Sequence, residues 1–256
     1  MRRLLYILYL VPVAYLVALP AYLSVEGGNR LCTGIEIIIA DSSEARFVTR
    51  GEITGIVRRT TGATQSLKCR ELPLSKIEEN VSQLSELGMV EAYVTVDGKV
   101  VVEVDQREPV MRVITSDNRD LFVDRKGYIF YKRGSYTPRV HIVAGALNVP
   151  PGVPNGGTIR GGEKVSRMEE ALDLVLFVRK SDFWTAQIDQ IYFRGNGEID
   201  MVPRVGNHTI HLGHAGGYEE KFYNLEAFYK EALPKVGWRE YREIDLEFQG
   251  QIVCRR

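Results

Sequence analysis

Residues 4–23 form a run of 20 positions without a formal charge, dominated by Leu, Val, Ala and Tyr. At about 1.5 Å per helical residue, the run spans roughly the 30 Å hydrocarbon core of a bilayer and predicts a transmembrane helix. Arg2 and Arg3 precede it, and positive flanks stay cytoplasmic. Residues 1–3 are thus a cytoplasmic tail, and the rest of the chain lies beyond the membrane. A cleavable signal peptide is the competing reading. Its apolar core is shorter, about 7–15 residues, and Pro20 sits awkwardly for cleavage within Val17-Ala18-Leu19-Pro20-Ala21. Pro12 and Pro20 are tolerated in membrane spans. Residues 24–33, with Glu26-Gly27-Gly28-Asn29, read as a linker.

After the linker the pattern turns to alternation. Ile35, Ile37 and Ile39 alternate with Glu36, Ile38 and Ala40 and predict a strand. Thr49-Arg50-Gly51-Glu52 is a capping box, with Val48 and Ile53 at the staple positions. Ile53, Ile56, Val57 and Thr60 continue one helical face until Gly62. A second helix is expected with Ser75 as cap, Ile77, Val81 and Leu84 as inner stripe, and Gly88 as C-terminal cap. Two alternating runs, residues 90–96 and 99–105, then flank Asp97-Gly98, a strong hairpin mark. The order is β-α-α-β-β over residues 34–107, one sheet carrying two helices on one face.

Gln106-Arg107-Glu108-Pro109 reads as a joint, because Pro109 biases Glu108 toward extended backbone. Residues 108–256 then predict a mixed β domain with packed helices, making the whole chain α+β. Strands are expected at 121–123, 128–131, 140–143, 187–193, 198–202 and 209–212, with a loop over 148–157. Met168, Ala171, Leu172, Val175, Leu176 and Arg179 mark an amphipathic helix. Tyr218, Phe222, Leu225, Tyr229 and Ala232 mark a last one, ended by Pro234 and Gly237. Ile244, Leu246, Phe248, Ile252 and Cys254 share one parity, interrupted by Gly250. They predict a terminal strand at a sheet edge, where unpaired amides and carbonyls either need protection or recruit a partner strand. Trp238, Tyr241 and Phe248 beside it have two readings: anchors for a partner, or cover for the domain's own core.

Charge adds little. The 256 residues carry 33 basic and 33 acidic side chains, so no global field draws the chain to nucleic acid. Three cysteines, Cys32, Cys69 and Cys254, are too few for a disulfide scaffold. Cys32 and Cys69 pair in an oxidising compartment, or all three stay free. His208, His211 and His214 invite a metal, but His208 and His211 point to opposite faces of a strand and no nearby carboxylate completes the set. There is no nucleophile elbow, phosphate loop or dinucleotide fingerprint. The chain reads as a non-enzyme without cofactor or metal.

In this order the segments resemble the FtsQ/DivIB bacterial cell-division proteins. Phe47-Val48-Thr49-Arg50-Gly51-Glu52-Ile53 resembles the approach to the first helix of a POTRA domain. Val104-Asp105-Gln106-Arg107-Glu108-Pro109-Val110-Met111-Arg112 resembles the family's inter-domain joint, and Leu121-Phe122-Val123-Asp124-Arg125-Lys126-Gly127 its next hairpin. Val202-Pro203-Arg204-Val205-Gly206-Asn207-His208, Ile210-His211-Leu212-Gly213 and Gln251-Ile252-Val253-Cys254 are similar to its later segments. The resemblance implies a non-enzymatic, single-pass inner-membrane scaffold of the divisome, concentrated at the septum. Its implied partners are FtsB/FtsL-like single-span proteins, one of which adds a strand near the C-terminus, with other divisome components meeting the POTRA-like domain. The candidate partner-binding residues are then Trp238, Tyr241, Ile244, Leu246, Phe248, Gln251 and Val253. A rival class is a POTRA-bearing envelope assembly or secretion component that chaperones client strands. Such proteins carry several POTRA units or a long barrel, and neither is legible here.

Overall fold

The computed structural model describes Tyr15, Leu16 and residues 31–40, 47–62, 67–131, 136–149, 156–160, 166–248 and 250–256. Two compact units divide the chain, Met1–Gln106 and Arg107–Arg256. Among the described residues no helix is long and apolar enough to cross a membrane. The expected anchor at 4–23 lies outside them, except for Tyr15 and Leu16, which are helical.

In the first unit, β1 (Gly34–Ile39) lies parallel to β3 (Lys99–Gln106), which pairs antiparallel with β2 (Leu87–Val94). Asp97-Gly98 makes the expected hairpin turn, and Gly98 takes a φ of 83° that suits glycine. Helix α1 (Arg50–Thr61) starts where its capping signal lies, with the Thr49 half of the expected box formed: Thr49 accepts from the Glu52 amide at 3.2 Å. Gln106 Oε1 accepts the amides of Phe47 and Val48 at 2.8 and 3.2 Å and fixes the approach to that helix. Ile53, Val57, Ile77 and Val81 are fully buried, as are Val100, Val102 and Val104 of β3. Each such side chain contributes about 1.5–3 kcal/mol.

Helix α2 corrects two expectations. It runs Leu74–Val81 with Pro73 at the cap, so Ser75 lies inside its first turn and caps nothing. Glu78 instead accepts the Ala92 amide at 2.9 Å and ties α2 to β2. Gly88 belongs to β2 and not to a helix end. Cys32 and Cys69 are buried free thiols. Cys32 donates toward Gly34 O at 3.5 Å and Cys69 toward Gly98 O at 4.0 Å, so each faces a carbonyl.

The second unit is built on one sheet in the order β13-β12-β11-β10-β9-β7-β4-β5-β6-β8. Its strands are β4 (Pro109–Ile114), β5 (Asp120–Asp124), β6 (Tyr128–Tyr131), β7 (His141–Gly145), β8 (Gly157–Thr158), β9 (Ile188–Phe193), β10 (Ile199–Pro203), β11 (Thr209–Gly213), β12 (Glu243–Asp245) and β13 (Val253–Arg255). The expected loop over 148–157 thus ends by contributing Gly157 to β8, and its residues 150–155 lie outside the described ones. Helix α3 (Arg167–Val178) opens on a full capping box of Ser166 and Glu169. Its Leu172, Leu174, Val175 and Val178 are buried in a core shared with Met111, Val113, Val143, Ile191, Met201 and Ile210 from the sheet.

Two features depart from the sequence pattern. A short helix α4 (Asp182–Gln187), capped by Ser181, precedes β9 and buries Trp184. Helix α5 (Tyr218–Ala227) runs through a π-type turn at Phe228–Ala232 into α6 (Leu233–Val236). Pro234 therefore does not end the helix. It opens the last turn, where its missing amide costs nothing, and Gly237 ends it with a φ of 106°.

Candidate partner-binding edge

The terminal segment is a hairpin and not one long strand. β12 runs parallel to β11, pairing Ile210 with Ile244, and β13 folds back antiparallel, pairing Ile244 with Cys254. Gly250, at a φ of 68°, accommodates the reversal. β13 forms one edge of the sheet, with no strand beyond it among the described residues, and β8 forms the other. Such an edge offers unpaired backbone donors and acceptors to another chain.

The seven sequence-derived residues divide between the unit's core and its surface. Ile244 is fully buried and Leu246 is 3% exposed, both in the unit's own core. Trp238 stands edge-on to Tyr229, with ring centroids 5.5 Å apart, and Tyr241 lies 6.0 Å from Phe228, so both partly cover that core. These four hold the edge in place and do not present a partner-facing side chain, except for the exposed part of Trp238 and Tyr241. Phe248, at 52% exposure, and Gln251 are open to solvent, and half-buried Val253 lies in β13 itself. Alternation misled here because cross-strand partners in a hairpin share a face, so Ile244 and Cys254 keep one parity across the turn.

On the opposite sheet face a row of charged residues crosses four strands. Arg194 donates through Nε to Asp200 Oδ2 at 2.6 Å, and Asp200 Oδ1 lies 2.6 Å from His211 Nδ1. His211 Nε2 is 3.9 Å from Glu243, whose other oxygen accepts from Arg255 at 3.0 Å. The hydrogen bond to Asp200 holds the Arg194 guanidinium even more firmly charged than usual. Individually such pairs near the surface contribute little. Together they pin β10, β11, β12 and β13 in one register. Sequence reading missed Asp200, Glu243 and Arg255; their alternation with Met201, Ile244 and Cys254 was the signal.

The histidines are absorbed by structure. His208 Nε2 lies 2.6 Å from the Tyr229 hydroxyl inside the core. Burial pushes the His208 imidazolium down and the Tyr229 phenol up, leaving a bond between neutral groups. His211 belongs to the charged row, and His214 is exposed. Among the described residues no three His, Cys, Asp or Glu gather as a metal site. Burial pushes the Cys254 thiol up, which makes it a poor thiolate nucleophile. What this arrangement leaves open is the backbone of an edge strand.

Comparison with protein families bears on that reading. A family model described as FtsQ/DivIB, C-terminal related, matches residues 108–255, more than half of the chain. The chain belongs to the FtsQ/DivIB family. A second model, of the POTRA-like domain, matches residues 30–105 and accounts for the β-α-α-β-β unit. A search of curated proteins finds no match. FtsQ/DivIB proteins form a family of non-enzymatic cell-division scaffolds associated with the membrane at the division site. The matched C-terminal region contains the whole sheet, the charged row and the β13 edge.

Proposed function

We propose that this FtsQ/DivIB protein is a bitopic inner-membrane scaffold of the bacterial divisome, linking early division proteins to septal peptidoglycan synthesis. Residues 1–3 are its cytoplasmic tail and 4–23 its signal-anchor helix; the linker 24–33 leads to the POTRA-like domain 34–107 and the partner-binding β domain 108–256. FtsB/FtsL-type single-span proteins bind the β domain by adding a strand to β13, and other divisome components meet the POTRA-like domain. The observation that carries the reading is the outer edge of Val253–Arg255, last in its sheet and flanked by exposed Phe248 and Gln251. Affinity on such an edge comes from main-chain hydrogen bonds, and selectivity from side chains that alternate beside them. The unbroken apolar run at 4–23 supports the tether.

A fluorescent protein fused to the N-terminus tests this in dividing cells. The expected result is a ring at midcell. Uniform signal over the membrane through the division cycle contradicts a divisome role.

A further inference from the structure

A cleft of about 490 Å³ opens in the second unit, away from the β13 edge, where the parallel strands β4, β7 and β9 begin. Four arginines from separate parts of the chain line it. Arg112 comes from β4, Arg139 from the approach to β7, Arg179 from the end of α3, and Arg204 from the turn after β10. His141 of β7 completes it, with Asp189 of β9 as the carboxylate on the wall.

The hydrogen bonding of this wall is incomplete on the donor side. Asp120 grips Arg112 through two bonds of 2.8 and 2.6 Å, and Asp189 accepts from Arg204 at 2.8 Å. Among the described residues the Arg179 guanidinium has Glu108 at 4.0 Å as its ion partner, and its buried Nε has no hydrogen-bond partner. His141 is 4% exposed, and neither of its ring nitrogens has a hydrogen-bond partner. Crediting Asp120, Asp189 and Glu108 with one guanidinium each leaves the exposed Arg139 as the fourth positive charge at the cleft. Buried donors without acceptors are costly and rare in folded proteins. Burial, then the charges of Arg179 and Arg204, opposed by Asp189, push the His141 imidazolium down to about 4. The ring is thus held neutral among the cleft's guanidinium groups, and an anion seated on them would offset the charges that disfavour its protonation.

We propose that this cleft binds the phosphate group of a small phosphorylated ligand or lipid headgroup, with the outer nitrogens of the Arg179 guanidinium as direct donors, Arg139 and Arg204 beside them, and the buried His141 ring behind them as the group that senses the bound charge. Guanidinium groups match tetrahedral oxyanions through paired, charge-assisted bonds. The volume lies within the range of small-molecule sites, about 300–1,000 Å³, so the cleft has room for an organic portion beside the anion. The proposal does not depend on strand addition at β13.

The test uses the full chain in uncharged detergent with ring-labelled histidine, observed by NMR. Inorganic sulfate is the probe, because it stays doubly charged across the range where His141 titrates. Saturable movement of one histidine signal, absent in His141→Gln, is expected, with the ring's titration midpoint rising by about one pH unit when sulfate is bound. Arg179→Met is expected to weaken binding about tenfold or more, the loss of one charge-assisted bond. The wild-type titration stands even where a variant fails to fold. Glycerol phosphate displacing sulfate marks a soluble ligand, whereas displacement only by vesicles containing phosphatidic acid marks a lipid headgroup. A response no larger than that to chloride at equal ionic strength overturns the site.

Discussion

Truncation after Gln251, which removes residues 252–256, is expected to weaken capture of an FtsB/FtsL-type partner by roughly two orders of magnitude. That is the scale of a few backbone hydrogen bonds at about 0.5–1.5 kcal/mol each. The cut removes β13, and with it the partial cover of the core by Ile252 and Cys254, but leaves Ile244 and Leu246 in place, so the unit is expected to keep its fold at reduced stability. It also leaves Glu243 without Arg255, and an unpaired carboxylate on the new edge discourages a replacement strand. A cut before Ile244 would be uninformative, since it empties two core positions. Affinity measured on purified partner, beside a thermal melt of the truncated protein, separates the two effects. Unchanged affinity contradicts β13 as the binding edge.

Phe222→Ala is expected to destabilise the second unit by about 3–5 kcal/mol, read by chemical denaturation. Phe222 is 3% exposed and stands edge-on to Phe177 at 5.2 Å and to Trp184 at 5.3 Å. Trp184 in turn meets Tyr229 at 5.3 Å. These four aromatic residues join α3, α4, α5 and the π-type turn over the sheet, so removing the central ring leaves a cavity that rigid neighbours fill poorly. A loss below about 1 kcal/mol would show that the cluster collapses freely around the gap.

The parts of this fold that sequence made legible are those set by local chemistry. Asp97-Gly98, Thr49 with Glu52, and the alternation of residues 90–105 each act within a few positions, and each forms where its signal lies. The family segment at Gln251–Cys254 falls within one matched domain, and that around Val104–Met111 straddles the boundary between the two. Longer-range competition decided the misses. Helix α4 is too short to show a period, and its anchor Trp184 is fixed by tertiary contact. The π-type turn shifts phase between Tyr229 and Pro234, which no periodic reading anticipates. At the C-terminus, shared parity of hairpin partners made core residues look like a binding stripe. The basic cleft was invisible because Arg112, His141, Arg179 and Arg204 meet only once β4, β7, α3 and β10 have assembled.

Strand addition is tested most directly in living cells by placing a photoreactive amino acid at Val253, with Tyr223, 75% exposed on α5, as the control position. The expected result is a light-dependent adduct from position 253 that contains an FtsB/FtsL-type single-span protein, with none from position 223. No adduct at 253, or the same adduct from both positions, would contradict a partner strand seated on β13.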